Sequence, residues 1–375
     1  MMFGHLAALL GYVVPFLFVL TVVVFFHEMG HFLVGRWCGV KVDTFSLGFG
    51  KELAGFNDRH GTRWRVAAVP LGGYVKFHGD ANAASAPAAV DISGMAPAER
   101  AVTFAAQPVW KRAAIVAAGP IANFILALLI FSGSFYVSGR PILIAKVETV
   151  VPASAAARAG FQPGDVILSI DGTPISSFTD MQKVVSASSD VPLTFEVQRG
   201  TSDVTLTATP ERKDVSGPFG TSRIGVLGLT AAGKPEDWKT ERFTATGAVK
   251  AAAGETWFVV DRTLSYIGGL FVGRETASQI SGPIRIAEVS GEVAKLGFGA
   301  LLNLAAFLSV SIGFVNLLPV PLLDGGHLVY FGVEAARGRP MSERAQEIGF
   351  RFGLAIVSSL MIFATFNDLL RLVRG

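Results

Sequence analysis

Apolar and polar positions are unevenly spread along this chain, and the spread divides it into membrane-like and soluble-like parts. Residues 6–26 (LAALLGYVVPFLFVLTVVVFF) hold no charge, and the apolar character continues to residue 34. This pattern predicts a transmembrane helix over 6–34. A second uncharged stretch at 113–136 (AAIVAAGPIANFILALLIFSGSFY) predicts another over 110–138, and the uncharged run Leu296–Leu323 predicts a third. The fourth is shorter. Residues 352–367 lie uncharged between Arg351 and Asp368, and such a run rises only about 24 Å as a helix against a hydrocarbon core near 30 Å. Recruiting flanking turns extends it to 347–370.

Between the second and third spans the pattern changes. From Ile142 to Pro210 short β-rich runs (AKVETVV, DVILSI, DGTPI, LTFEVQRG, VTLTATP) alternate with turn signals, Asp171-Gly172 among them. They predict a small soluble β domain within 139–230. Residues 231–295 follow as an amphipathic helical segment. Its apolar positions (Trp257, Phe258, Leu264, Tyr266, Ile267, Leu270, Phe271) are interrupted by Glu255, Asp261 and Arg262. Charges in the middle argue for a helix lying on the membrane or on the β domain, not for a fifth span.

Composition sharpens this division. Only 16% of the 375 residues are charged and 51% are hydrophobic, with mean hydropathy +0.49; a soluble domain carries about 25% charged residues. A net charge of +3 gives no electrostatic case for a nucleic-acid partner. The single cysteine, Cys38, excludes an intrachain disulfide and a cysteine-built zinc site, so a tight metal site must use His, Asp and Glu. No Lys or Arg precedes Arg36, so the first run lacks the basic flank of a cleaved signal peptide and is expected to be retained. Ten Lys and Arg lie between Gly35 and Arg112. By the positive-inside rule that segment is expected on the cytoplasmic side, with 139–295 outside, the loop near 324–346 inside, and both termini outside.

The candidate chemistry lies in the first span. His27-Glu28-Met29-Gly30-His31 places two imidazoles four residues apart, on one face of a helix, able to grip one zinc. Glu28 stands beside them as a base for a water whose pKa zinc lowers to about 7. A five-residue match of this kind arises by chance in roughly one chain in a hundred of this length, and the bland alternative is a pair of interfacial histidines. Depth separates the two. His27 lies about 14 Å inward of Arg36 along a helix, and ionisable groups at that depth are costly unless they have a function.

A catalytic zinc needs a third protein ligand. The other histidines are His5, His60, His78 and His327, but Asp324 is the stronger candidate. It ends the third span in the run Asn316-Leu317-Leu318-Pro319-Val320-Pro321-Leu322-Leu323-Asp324-Gly325-Gly326-His327. Pro319 and Pro321 break the helix and Gly325-Gly326 permits a tight turn. Broken helices at membrane depth are tolerated where they are buried in protein or line a wet cavity.

HEMGH in the first span with N-x-x-P-x-P-x-x-D-G-G in the third resembles the site-2 protease family (peptidase family M50), and within it the regulator-of-sigma-E branch. Phe45-Ser46-Leu47-Gly48-Phe49-Gly50, Leu71-Gly72-Gly73-Tyr74-Val75-Lys76-Phe77, Trp110-Lys111-Arg112 through Ala118-Gly119-Pro120-Ile121-Ala122-Asn123-Phe124, and Ser281-Gly282-Pro283-Ile284 are similar to further segments of that family. The run Arg158-Ala159-Gly160-Phe161-Gln162-Pro163-Gly164-Asp165-Val166-Ile167-Leu168-Ser169-Ile170-Asp171-Gly172 resembles bacterial periplasmic PDZ domains. One such run is visible where relatives often carry two. The fold class this resemblance implies is a polytopic α-helical membrane protein of about four transmembrane helices. It has an inserted periplasmic β-rich PDZ domain and, in the loop 35–107, a short membrane-associated β-hairpin at 71–77.

The resemblance also implies an activity: hydrolysis of peptide bonds inside the transmembrane segments of single-pass proteins in a bacterial inner membrane. It implies Zn2+ held by His27, His31 and Asp324, with Glu28 as general base. Substrate backbone would be held by Asn316, the Pro319–Pro321 bend and the hairpin residues Gly72, Gly73, Tyr74 and Val75. The implied substrate is an anti-sigma factor already trimmed on its outer side, or a remnant signal peptide, and a PDZ groove would bind a peptide by strand addition. A non-enzymatic scaffold would not need an intact Glu28. A metal transporter would want more polar side chains along a path than Asn123, Ser132, Ser134, Asn303, Ser309, Ser311 and Asn316 supply.

Overall fold

The computed structural model describes residues 2–80, 94–217, 220–231, 233–271 and 282–374. Ser281 of the Gly-Pro segment lies outside them. The chain forms two compact units, one of residues 1–132, 249–261 and 278–375, the other of 133–248 and 262–277.

The first unit opens with helix α1 (Met2–Trp37), whose composition is apolar nearly throughout. Strands β1 (Val42–Asn57) and β2 (Arg63–Phe77) follow as an antiparallel pair. The chain reverses between them at Asp58–Thr62, where the Asp58 carboxylate accepts the His60 and Thr62 amides. Segment 71–77 is therefore the second half of a long strand, not a hairpin with its own turn. Gly72-Gly73 looks like a turn in the sequence but bends β2 internally, as Gly48 and Gly50, both at positive φ, bend β1. The bends give residues 44–47 two neighbours, 73–76 and 63–66, while 52–57 pair with 63–67. Residues 73–77 are left with one strand partner among the described residues. Aromatic packing fastens this sheet to α1: Phe45 is fully buried, its ring 4.5 Å from Trp64 and 5.5 Å from Phe32. Burying such a ring contributes about 2–3 kcal/mol.

After a single turn, α2 (Pro97–Arg100), comes α3 (Val109–Ser138), which leads into the second unit. That unit begins with β3 (Arg140–Leu143), β4 (Val147–Val150) and the short α4 (Ala155–Ala159). Next come β5 (Val166–Ile170), β6 (Thr173–Pro174), α5 (Phe178–Ala187), β7 (Leu193–Arg199) and β8 (Ser202–Ala208). The four-stranded sheet runs β6-β5-β7-β8, and its inward residues Ile167, Ile170, Phe195 and Val197 form the core with Phe161, Met181 and Val185. Strands β9 (Glu211–Gly217) and β10 (Gly220–Val226) form a hairpin. Strand β11 (Leu229–Ala231) returns to β4, and β12 (Trp238–Glu241) returns to β3. The domain thus closes at about residue 241, beyond the expected limit of 230, because its last two strands pair with its first two. Helix α6 (Ala245–Phe271) follows.

The first unit resumes with α7 (Pro283–Lys295), α8 (Phe298–Asn316), α9 (Asp324–Arg337) and α10 (Glu343–Arg374). Among the described residues four helices are long and apolar enough to cross a membrane: α1 from Leu9, α3, α8, and α10 to Arg371. The segment expected as a loop near 324–346 is largely helical. The third apolar run is interrupted at 317–323, so Asp324 opens a new helix instead of ending an old one.

Candidate metal centre

Helices α1 and α3 approach closely at the HEMGH run. A Cβ on Gly30 would lie 2.2 Å from the Ala118 carbonyl oxygen, so only glycine permits this contact. On either side of Gly30, His27 and His31 present their Nε2 atoms 3.3 Å apart. Asp324 reaches the same point from the N-terminus of α9, with Oδ2 3.2 Å from His27 Nε2 and 3.6 Å from His31 Nε2. Among the described residues these three form the only such group of potential metal ligands. The side chains are 12–18% exposed.

The spacing matches a zinc site. Ligands at 2.0–2.1 Å from a tetrahedral zinc stand about 3.3 Å from one another. Asp324 Oδ2 is buried and has no hydrogen-bond partner even though two imidazole nitrogens lie within 3.6 Å. Three ligand atoms converging within 3.6 Å of one another are a donor set that fits a cation. His31 Nδ1 donates to the Ile115 carbonyl at 2.9 Å, which leaves Nε2 as the lone-pair atom facing the others.

Glu28 lies beside this group, close to the backbone of Val75. Residue 73 makes this approach possible: a Cβ there would meet Val24 Cγ1 at 2.9 Å and Glu28 Cγ at 3.0 Å. The structure therefore brings Gly73 and Val75 of the 73–77 edge to the acid. Tyr74 points elsewhere, stacked on Phe49 with centroids 6.0 Å apart, and Gly72 also abuts Phe49. Asn316 ends α8, and Pro319 and Pro321 lie in the irregular stretch that leads to Asp324. Within that stretch Leu322 has φ +123°, a strained value for leucine. Gly325 and Gly326 serve close approach, not a turn. Cβ atoms there would fall 2.3 Å from the Leu317 and Leu318 carbonyls and 2.4 Å from that of Val320. An ion pair between Arg112 and Glu334, 2.6 Å and largely buried, ties α9 to the start of α3.

Two residues of α3 escaped functional assignment in the sequence. Gly119 abuts the His31 ring, where a Cβ would come within 2.2 Å of Nε2. Asn123, fully buried, lies 3.3 Å from His27 Nδ1. The available signal was an amide alone in an uncharged span, four residues from a glycine.

Membrane-length helices carrying an HExxH pair and a distant carboxylate define an integral membrane metalloprotein of the hydrolytic kind. The chain belongs to peptidase family M50, whose model matches residues 15–360, and is a zinc metalloprotease of that family. A Rhizobium meliloti protein provisionally named a zinc metalloprotease is 49% identical over 362 residues, covering 96% of this chain and 97% of that one. Metalloprotease MmpA of Caulobacter vibrioides is 42% identical, covering 96% and 95%. Among solved structures, the PDZ domain of an SdrC-like protein from Listeria monocytogenes is 20% identical with TM-score 0.20, covering 23% of this chain and 85% of that one.

Proposed function

We propose that this zinc metalloprotease is an intramembrane endopeptidase that cuts within transmembrane segments of single-pass proteins. The observation that carries the reading is the convergence of His27 Nε2, His31 Nε2 and Asp324 Oδ2 within 3.6 Å, beside Glu28, on helices of membrane-spanning length. When bound there, zinc supplies a Lewis acid that polarises the scissile carbonyl and acidifies a water. Glu28 takes the proton of that water and hands it to the leaving amine. Val75 of the sheet edge lies beside the Glu28 carboxylate. A helical substrate must unwind before hydrolysis, because its carbonyls are already bonded. The 73–77 edge, with one strand partner, offers backbone groups to the unwound strand. Asn316 and the irregular bend at Pro319–Pro321, just before Asp324, serve the same task.

The inserted domain is read as a PDZ domain, from the run around Gly160–Gly172 and the β-sheet core packed on α5. It binds an extended peptide outside the membrane. The substrate class is a membrane-anchored anti-sigma factor already trimmed on its outer side, or a remnant signal peptide, in the inner membrane of a bacterium. Glu28→Gln tests the reading: the variant is expected to keep its zinc and to lose cleavage of a model transmembrane substrate by at least about a hundredfold. Turnover at the wild-type rate would remove Glu28 from its role.

A further inference from the structure

Asn123 is buried completely within the apolar part of α3. Its backbone carbonyl accepts the Ser309 hydroxyl from α8 at 2.9 Å, and Gly313 of α8 packs against its Cβ. The side chain therefore has a fixed place between α1 and α8. Its Nδ2 lies 3.3 Å from His27 Nδ1, and its Oδ1 is buried with no partner.

These two facts conflict with the geometry of the ligand set. His27 faces His31 and Asp324 with Nε2, so Nε2 must carry the lone pair. A neutral imidazole of that tautomer bears its proton on Nδ1. An amide Nδ2 opposite Nδ1–H would set donor against donor while an acceptor oxygen goes unused in the same buried side chain. Nitrogen and oxygen of a side-chain amide have nearly the same shape, and the hydrogen-bond network decides between the two orientations. Turning the amide over resolves the clash and brings Oδ1 to His27 Nδ1. His27 then matches His31, whose Nδ1 donates to the Ile115 carbonyl at 2.9 Å. Both ring tautomers are set from α3, by residues eight apart on one face.

We propose that Asn123 is the positioning residue of the metal centre: its Oδ1 accepts the His27 Nδ1 proton and so fixes the tautomer and ring plane that put Nε2 on zinc. The claim rests on the ligand assignment proposed above. Asn123 itself touches neither metal nor substrate. Partners of this kind are worth about 10–100-fold in metal affinity.

The test uses the full-length protein in detergent and reads metal, not turnover. Zinc affinity is measured by chelator competition for wild type, Asn123→Asp and Asn123→Leu, and the Co2+-loaded forms are compared by visible absorption. A carboxylate accepts but does not donate, so Asn123→Asp is expected to bind zinc within about threefold of wild type and to keep its cobalt spectrum. Asn123→Leu is expected to bind about 10–100-fold more weakly. Wild-type affinity in Asn123→Leu overturns the proposal. Equal loss in both variants also overturns it, because that result assigns a donor role to the amide. Should the leucine variant fail to fold, the aspartate variant decides alone: retention supports the acceptor and loss refutes it. Failure of the underlying assignment looks different, since zinc would then survive His27→Ala in an otherwise wild-type chain.

Discussion

Gly119 shows how much of this centre depends on what a residue lacks. The space its Cβ would take is filled by the His31 imidazole, at 2.2 Å from Nε2. Gly119→Ala keeps α3 helical, since alanine is the better helix former, yet it must push the ring off the ligand position. The expected result is a folded protein whose zinc affinity falls by more than about tenfold, judged against losses from outer-shell changes alone, as read by elemental analysis after dialysis against a weak chelator. Full zinc occupancy would show that the ring has room to give. At this scale the sequence was legible where chemistry names the residue. His27, Glu28 and His31 announce themselves by spacing, and Asp324 by a carboxylate in an apolar context. Gly119 and Asn123 were not legible, because their parts are set by a neighbouring helix. Neither residue's own flanks record that α1 lies against α3.

The interrupted third span is the element on which the centre depends most. Helix α8 ends at Asn316, and the next seven residues run irregularly before α9 starts at Asp324. The prolines made the break legible. What holds it was not legible. Helix α10 presses Gly353 against Pro321 so closely that a Cβ would fall 1.3 Å from the Pro321 carbonyl oxygen. Gly353→Ala must therefore move either α10 or the bend. Displacing a positioning element by about 1 Å can cost about 100-fold in rate, and a drop of that order in cleavage of a transmembrane substrate is expected. Unchanged cleavage would mean that the bend does not position substrate. The sheet gives the complementary lesson. Gly72-Gly73 reads locally as a turn, but pairing across thirty residues makes it part of a strand and places the true turn at Asp58–Thr62. In the inserted domain, burial alone would raise the Asp165 carboxyl. The Arg199 guanidinium, with two contacts of 2.8 Å, and the Gln162 amide outweigh it and hold the group below the usual carboxylate range. An acid depressed by folding adds stability that is whole above its unfolded value near 4 and is lost as pH falls through the folded value. Thermal melts of the full chain from pH 3 to 7 are expected to show this acid loss in wild type and a shallower one in Asp165→Asn. Parallel acid limbs would assign the loss to other carboxylates.

For the whole molecule, the decisive question is which side of the membrane each part faces. The ten cations between Gly35 and Arg112, with none before them, support the proposed cytoplasmic place of that segment by the positive-inside rule. In the proposed orientation the 139–295 insertion, framed by two spans and carrying the soluble core, lies outside. This arrangement gives the mechanism its sense. The histidine pair lies near the end of α1, in residues 27–31 of a helix that stops at Trp37, so the proposed cut falls toward the cytoplasmic side. On the proposed function, the inserted domain would meet whatever part of the substrate remains on the other side. Cys38, the only cysteine, makes the arrangement easy to test, because Cys38→Ser gives a chain without thiols. Single cysteines placed at exposed Asp203 and exposed Arg59 then report the two sides. In spheroplasts a membrane-impermeant maleimide is expected to label Asp203→Cys at once and Arg59→Cys only after lysis. The reverse pattern would invert the protein and put the cut on the outer side. Labelling of both before lysis would mean that the second apolar helix, Val109–Ser138, does not separate the sheet from the inserted domain, and the intramembrane reading would fail with it.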